Sequence, residues 1–183
     1  MPKILLLNKP FGIVSQFSRN GRAETLASLI SEKGFYPAGR LDKQSEGLLI
    51  LTNDGKLQSQ ISHPRFKLGK TYLVQVENEI STEAIAVLRN GIHLNDGLTK
   101  PAIIDRIIEP AKIWNRDPPI RERKLIPTSW IRITIYEGKN RQIRRMTAAM
   151  GFPTLRLIRI AIGEWCLGNL LPGQSMQKEV EYI

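Results

Sequence analysis

Two stretches of this chain alternate apolar and polar residues with a period of two, and that leaves little choice of fold. In KTYLVQV (70–76), Tyr72, Val74 and Val76 point one way, and Thr71, Leu73 and Gln75 the other. In WIRITIYEG (130–138), Ile131, Ile133 and Ile135 share a face. Successive side chains on a strand point to opposite faces, so both stretches predict strands with one side on a core. KILLLNKP (3–10), LLILT (48–52) and LRLIRIAIG (155–163) are short and densely apolar, which predicts further, more deeply buried strands. PFGIVSQF continues the first as an extended segment with a glycine turn, and NDG (53–55) is a turn signal.

Helical patterns lie between these strands. AETLASLISEKG (23–34) places Leu26, Leu29 and Ile30 on one face and ends at Gly34. KLQSQISHP (56–64) puts Leu57 and Ile61 inward and stops at Pro64. STEAIAVLRNG (81–91) offers Ser81 or Thr82 as a cap and Gly91 as a stop. NRQIRRMTAAMG (140–151) closes at Gly151 and Pro153. Strands and helices intermix, so the expected class is α/β or α+β with a mixed sheet. A length of 183 residues fits one domain, or one domain in two lobes.

Composition narrows the function. A 42% hydrophobic share is enough to bury a core. No apolar run approaches the roughly 20 residues of a membrane span, and no secretory signal opens the chain. Cys166 is the one cysteine and the histidines are His63 and His93, so neither a disulfide nor a metal site is expected, and a reducing cytoplasm is. The net charge of +10 favours a polyanionic partner.

That charge is concentrated. On a helical wheel of 140–151, Ile143, Met146, Thr147 and Met150 form one face, Arg141 and Arg145 lie opposite, and Arg144 sits on the flank. A flanking arginine can be partly buried while its fork reaches a carboxylate, whereas outward ones suit phosphates. EPAKIWNRDPPIRERKLIP (109–127), with Arg121, Arg123 and Lys124, has four prolines, five Lys or Arg and no period. It reads as a surface loop or hairpin tip, either a solvated connection or a basic finger on nucleic acid. Trp114 within it is either a stacking surface or the loop's anchor.

One acid stands out. AGRLDKQSEGLLILTNDG (38–55) places Asp42 between Arg40 and Lys43, just before a strand. No Cys/His pair, phosphate-binding glycine loop or metal cluster competes with it. An acid working without metal or base partner is a nucleophile or a general base. As a plain loop aspartate, it would cap the next element or pair weakly with Arg40.

The motifs GRLDKQSEGLLILTNDG (39–55), LLNKPFGIVSQ (6–16), KTYLVQV, EGKNRQIRRMTAAMG (137–151) and LIRIAIG (157–163) together resemble the RsuA/RluB/RluE/RluF family of ribosomal RNA pseudouridine synthases. The resemblance runs from Leu6 to about Gly173 and is closest to the RluE type, which acts on 23S rRNA. It implies a bent, mixed, largely antiparallel sheet flanked by helices, with an active-site cleft between lobes of about 1–62 and 63–183. The small S4 RNA-binding domain that opens most members is not expected in this single catalytic domain. The resemblance also implies roles. Asp42 matches the essential aspartate, Tyr72 the tyrosine that stacks on the target base and can serve in proton transfer, Arg144 the basic residue paired with the aspartate, and Leu157 the apolar residue beneath the site. Ser45 stands where threonine is common, and Arg141 where histidine is often found. Neither a metal nor a cofactor is implied.

The expected RNA-binding set is therefore Arg40, Lys43, Lys70, Lys139, Arg141, Arg145, Arg121, Arg123 and Lys124. The expected partner is 23S rRNA or a ribosomal assembly particle, bound by a monomer. Two rivals stand beside this reading: a non-catalytic RNA-binding or assembly factor on the same scaffold, with the same charge and fold, and a hydrolase such as a base glycosylase that uses a single aspartate and releases free uracil.

Overall fold

The computed structural model describes Met1–Ile183. Its strands are β1 (Lys3–Lys9), β2 (Tyr36–Pro37), β3 (Glu46–Thr52), β4 (Lys70–Glu77), β5 (His93–Leu94), β6 (Gly97–Leu98), β7 (Ile103–Ile107), β8 (Thr128–Ile135), β9 (Thr154–Ile162), β10 (Trp165–Cys166) and β11 (Ser175–Glu179). Its α-helices are α1 (Gly55–Ser62), α2 (Thr82–Asn90) and α3 (Gln142–Ala149). This is an α+β protein, and no helix is long and apolar enough to cross a membrane.

The chain divides into two compact units, one of residues 1–68 with 159–183 and one of residues 69–158. The cut differs from the lobes of 1–62 and 63–183. The C-terminal segment belongs with the first unit because β11 pairs antiparallel with β1, Leu5 opposite Gln177.

In the first unit the strand order is β11-β1-β3-β9, to which β9 gives its Arg159–Ile162 half. β1 and β3 are antiparallel, with Leu7 opposite Leu49 and Lys9 opposite Gly47. Leu5, Leu7, Leu49 and Leu51 pack with Ile13, Leu26, Ile30, Phe35 and Leu41 on one side of the sheet. The alternate residues Ile4, Leu6, Leu48 and Ile50 are equally buried, so these strands read as continuous apolar runs.

In the second unit the order is β9-β4-β8-β7. β4 and β8 are antiparallel, with Tyr72 opposite Ile133 and Val74 opposite Ile131. The isoleucine and valine faces form one core with α2 and α3, through Ala84, Ile85, Leu88, Ile143 and Met146. Ser81 caps α2 by accepting from the Ala84 N–H, and Gly91 ends it. The buried face of α3 is Gln142, Ile143, Met146 and Thr147, close to the wheel's assignment, but the helix begins at Gln142 because Arg141 is left-handed (φ 48°).

The predicted helix over 23–34 does not form; only a 3-10 turn at Leu26–Ser28 does. The backbone of its first residues is used elsewhere. The Val14 N–H donates to Glu24 O, and the Leu26 N–H to Gln16 O. Thr25 bridges to Val14 and its hydroxyl donates to Phe17 O. Leu26 and Ile30 are still buried, so the apolar spacing marked inward residues correctly but not their backbone.

Candidate active site

Asp42 stands in the first unit, and Tyr72, Arg144 and Leu157 in the second. The Asp42 side is built on a short loop before β3. Leu41 is 5% exposed and sits in the first unit's core, while its neighbour Asp42 is half-buried. An apolar anchor thus directly precedes the acid.

No strand ladder holds this loop, yet each carbonyl from Arg40 to Lys43 accepts a hydrogen bond. Arg40 O accepts from Arg159 Nη1 at 3.4 Å. Leu41 O accepts from Ser15 Oγ at 2.5 Å. Asp42 O accepts from the Ser45 N–H at 3.0 Å, and Lys43 O from the Gly12 N–H at 2.7 Å. Lys43 O also lies 3.4 Å from Lys9 Nζ, which donates to Pro10 O at 2.7 Å and Ile13 O at 2.9 Å. The segment from Lys9 to Ser15 is therefore a template for the loop that carries Asp42.

Lys9 is wholly buried, as is Glu46, and Arg159 is 3% exposed. Burial pushes the Lys9 ammonium down to about 7; Glu46 opposes the drop, Arg159 adds to it and Asp42 opposes it. The sign for stability follows. Between about pH 7 and its ordinary value of 10.5, Lys9 is deprotonated in the folded chain and protonated in the unfolded one. The unfolded state then binds more protons, so stability rises with pH across that window. Wild type should gain on Lys9→Met by about 1.4 kcal/mol per pH unit there. Urea unfolding of both proteins at pH 7, 8 and 9 checks this, and parallel pH dependences would contradict it.

In the second unit Tyr72 (8% exposed) and Leu157 (5%) belong to one buried cluster with Ile143 and Met146. Two of the expected catalytic residues are thus brought together, against the helix that carries Arg144. Arg144 is half-buried, as its flank position predicted. The turn leading into α3 is set by Glu137, which is 8% exposed. Its carboxylate accepts from the Lys100 N–H and from Gln142 Nε2, both at 2.7 Å. Gln142 Oε1 in turn accepts from the Lys139 N–H at 3.1 Å.

Several of the basic residues are already engaged within the protein. Arg145 is engaged: its guanidinium forks onto Asp96, Nη1 to Oδ1 at 2.8 Å and Nη2 to Oδ2 at 3.0 Å. This fork holds the Asp96 carboxyl below the usual range and raises the arginine. Lys139 Nζ donates to Asp96 O. Arg123 lies 3.6 Å from Glu77. Arg40, Lys43, Arg141, Arg121, Arg123 and Lys124 are exposed, and Lys70 and Lys139 are half-buried.

The 109–127 stretch contains no helix or strand. Arg116 ties it to β9, donating from Nη1 to Leu155 O at 3.2 Å. Trp114 is half-buried; its carbonyl accepts from Arg156 Nη2 at 2.8 Å, and the Arg156 guanidinium stands 5.8 Å from its ring centre. Beneath the loop lies a cavity of about 860 Å³, lined among others by Gln75, Glu77, Ile120, Arg121, Arg123 and Lys124. Gln75 and Glu77 alternate with Tyr72, Val74 and Val76 along β4, so the cavity is on the sheet face opposite the core.

Residues 3–149 match the sequence profile of the RNA pseudouridylate synthase family. The chain belongs to this family. It is 52% identical over 172 residues to the ribosomal large subunit pseudouridine synthase E of Xanthomonas axonopodis pv. citri, covering 92% of this chain and 90% of that protein. The protein of the same name from Vibrio parahaemolyticus is 50% identical over 172 residues, or 94% of this chain and 72% of that one. A crystal structure of a pseudouridylate synthase superposes with a TM-score of 0.80 at 28% identity, over 98% of this chain and 71% of that one. The RluE-type resemblance and the synthase fold expected from the sequence both hold.

Several residues escaped the sequence reading. Lys9, Ser15, Glu46, Arg159, Glu137 and Gln142 organise the two halves of the family's motifs without standing out. One signal was available for Lys9: a lysine ending an apolar run, directly before Pro10, is an expensive residue to bury.

Proposed function

We propose that this synthase converts a uridine of large-subunit (23S) ribosomal RNA to pseudouridine. What supports the substrate is identity of about half the residues, along nearly the whole chain, with synthases named for the large ribosomal subunit. The net charge of +10 and the exposed arginines and lysines suit an RNA partner. The RNA is free 23S rRNA or an assembly particle, met by a monomer in the cytoplasm.

The reaction breaks N1–C1′, turns the uracil and joins C5 to C1′, with no net redox change. A base inside a helix is covered on both faces, so the target flips out at a cost of a few kcal/mol, offset by contacts to the RNA backbone. In this reading Asp42 acts on the flipped nucleoside, by attack on C1′ or C6 or by removing a sugar proton. Tyr72 holds the base by stacking, with Leu157 packed in the same cluster. Arg144 carries the role the motif match implies. The nine basic residues bind RNA, with Arg145 and Arg123 doing so from within ion pairs.

The test maps carbodiimide-resistant adducts by primer extension on 23S and 16S transcripts and on large-subunit assembly particles. A new stop on 23S rRNA, free or in the particle, is the expected result. A stop on 16S rRNA alone would overturn the substrate, and binding without any stop would favour the non-catalytic factor. Tyr72→Phe should keep most of the turnover and Tyr72→Leu should lose at least about tenfold, since base–aromatic stacking is worth roughly 1–3 kcal/mol. Equal rates for the two would remove stacking from the mechanism.

A further inference from the structure

We propose that Ser15 is a positioning residue for Asp42: its one hydroxyl grips both backbone groups of Leu41 and thereby sets the direction of the adjoining carboxylate. Ser15 Oγ donates to Leu41 O at 2.5 Å and accepts from the Leu41 N–H at 3.1 Å. Ser15 is 4% exposed and Leu41 5%, so water does not compete for these groups. Leu41 lies outside every strand and helix, and the hydroxyl does for it what a neighbouring strand would do.

The other contacts of the loop show why this one is decisive. On the far side of Asp42, the Lys43 carbonyl is held twice over, by the Gly12 N–H and Lys9 Nζ. On the near side, Ser15 supplies both bonds to Leu41. Losing Oγ leaves a buried donor and a buried acceptor unpaired, a costly arrangement that the backbone relieves by shifting to new partners. A shift at Leu41 re-aims Asp42. Misplacement of a reacting group by about 1 Å can cost some 10²-fold in rate. A hydroxyl that merely satisfied a buried loop would affect stability and leave turnover alone.

The inference rests on the reading of Asp42 as the acting carboxylate, and the experiment separates the two. Single-turnover rates and RNA dissociation constants are measured for wild type, Asp42→Asn, Ser15→Ala and Ser15→Thr on whichever of the 23S transcript and the large-subunit assembly particle wild type modifies, at a temperature well below each unfolding midpoint. Ser15→Ala is expected to lose about 10- to 100-fold in the single-turnover rate, with RNA affinity within about twofold of wild type. Ser15→Thr, which keeps the hydroxyl, should recover most of the loss. If Ser15→Ala does not fold, Ser15→Cys takes its place, with a weaker donor in similar volume and an intermediate rate expected. A fall in unfolding temperature with the rate unchanged overturns the inference while leaving the role of Asp42 intact. An Asp42→Asn protein as fast as wild type, or a wild type inactive on both the transcript and the particle, removes the reading beneath it and the inference with it.

Discussion

Asp42→Asn should leave a folded protein that binds RNA as wild type does and forms no detectable pseudouridine. The substitution keeps the shape of the side chain and removes its charge. Asp42 is half-buried on a loop whose backbone carbonyls accept from Ser15, Gly12, Lys9, Arg159 and Ser45, and the isosteric amide leaves those backbone bonds in place. Stability should therefore change little. Turnover should fall by at least about 10³-fold, because no other exposed acid stands in that loop to act as nucleophile or base. The measurement is pseudouridine formed per enzyme by primer extension, beside the RNA dissociation constant. A parallel loss of affinity would mean that Asp42 organises the RNA surface; retained turnover would move the chemistry to another residue.

Gly47→Ala should produce the largest loss of stability of any single methyl addition at the candidate site. Gly47 has φ +105°, and a Cβ there would stand 2.2 Å from Arg159 O and 2.8 Å from Arg159 N. Those are backbone atoms, so no side chain can swing aside. Either β3 or β9 must move, and Arg159 also donates from Nε to Leu48 O at 2.8 Å. The cost should be roughly 2–4 kcal/mol, a fall in melting temperature on the order of 10 °C. Gly55→Ala is the control, since nothing lies within 4 Å of its Cβ position and it begins α1. It should be neutral or slightly stabilising. Similar melting curves for the two variants would show that β3 and β9 separate easily.

How much of this was legible in the sequence depends on what each residue was doing. α1 and α2 were readable because their signals are local: Pro64 lies just past one, and Ser81 and Gly91 bracket the other. β4 and β8 were readable because one face of each is on a core. β11 left no trace, since all five of its residues are exposed and its place depends on pairing with β1, far away in the chain. The 23–34 stretch misled because its spacing suits a helix while its Glu24 carbonyl accepts from the Val14 N–H and its Leu26 N–H donates to Gln16 O. At the candidate site, Asp42, Tyr72, Arg144 and Leu157 could be proposed from motifs. The surrounding support could not, because Ser15 and Gln142 belong to residue types that usually face water. Only their fold-dependent neighbours make them structural. Arg145 read as a free phosphate ligand because Asp96, its partner, lies outside the motif.

The discontinuous first unit has a consequence for the order in which the protein comes into being. A ribosome releases Met1–Leu68 first, but this stretch lacks Arg159, which holds Arg40 and β3, and β11, which covers the outer edge of β1. The contiguous 69–158 unit can assemble as it emerges, whereas its predecessor must wait with an uncovered, leucine-rich strand edge. Asp42 thus acquires its final setting among the last events of synthesis. A chain stopped short of Arg159 would own every residue of the GRLD motif and still lack the frame that aims it.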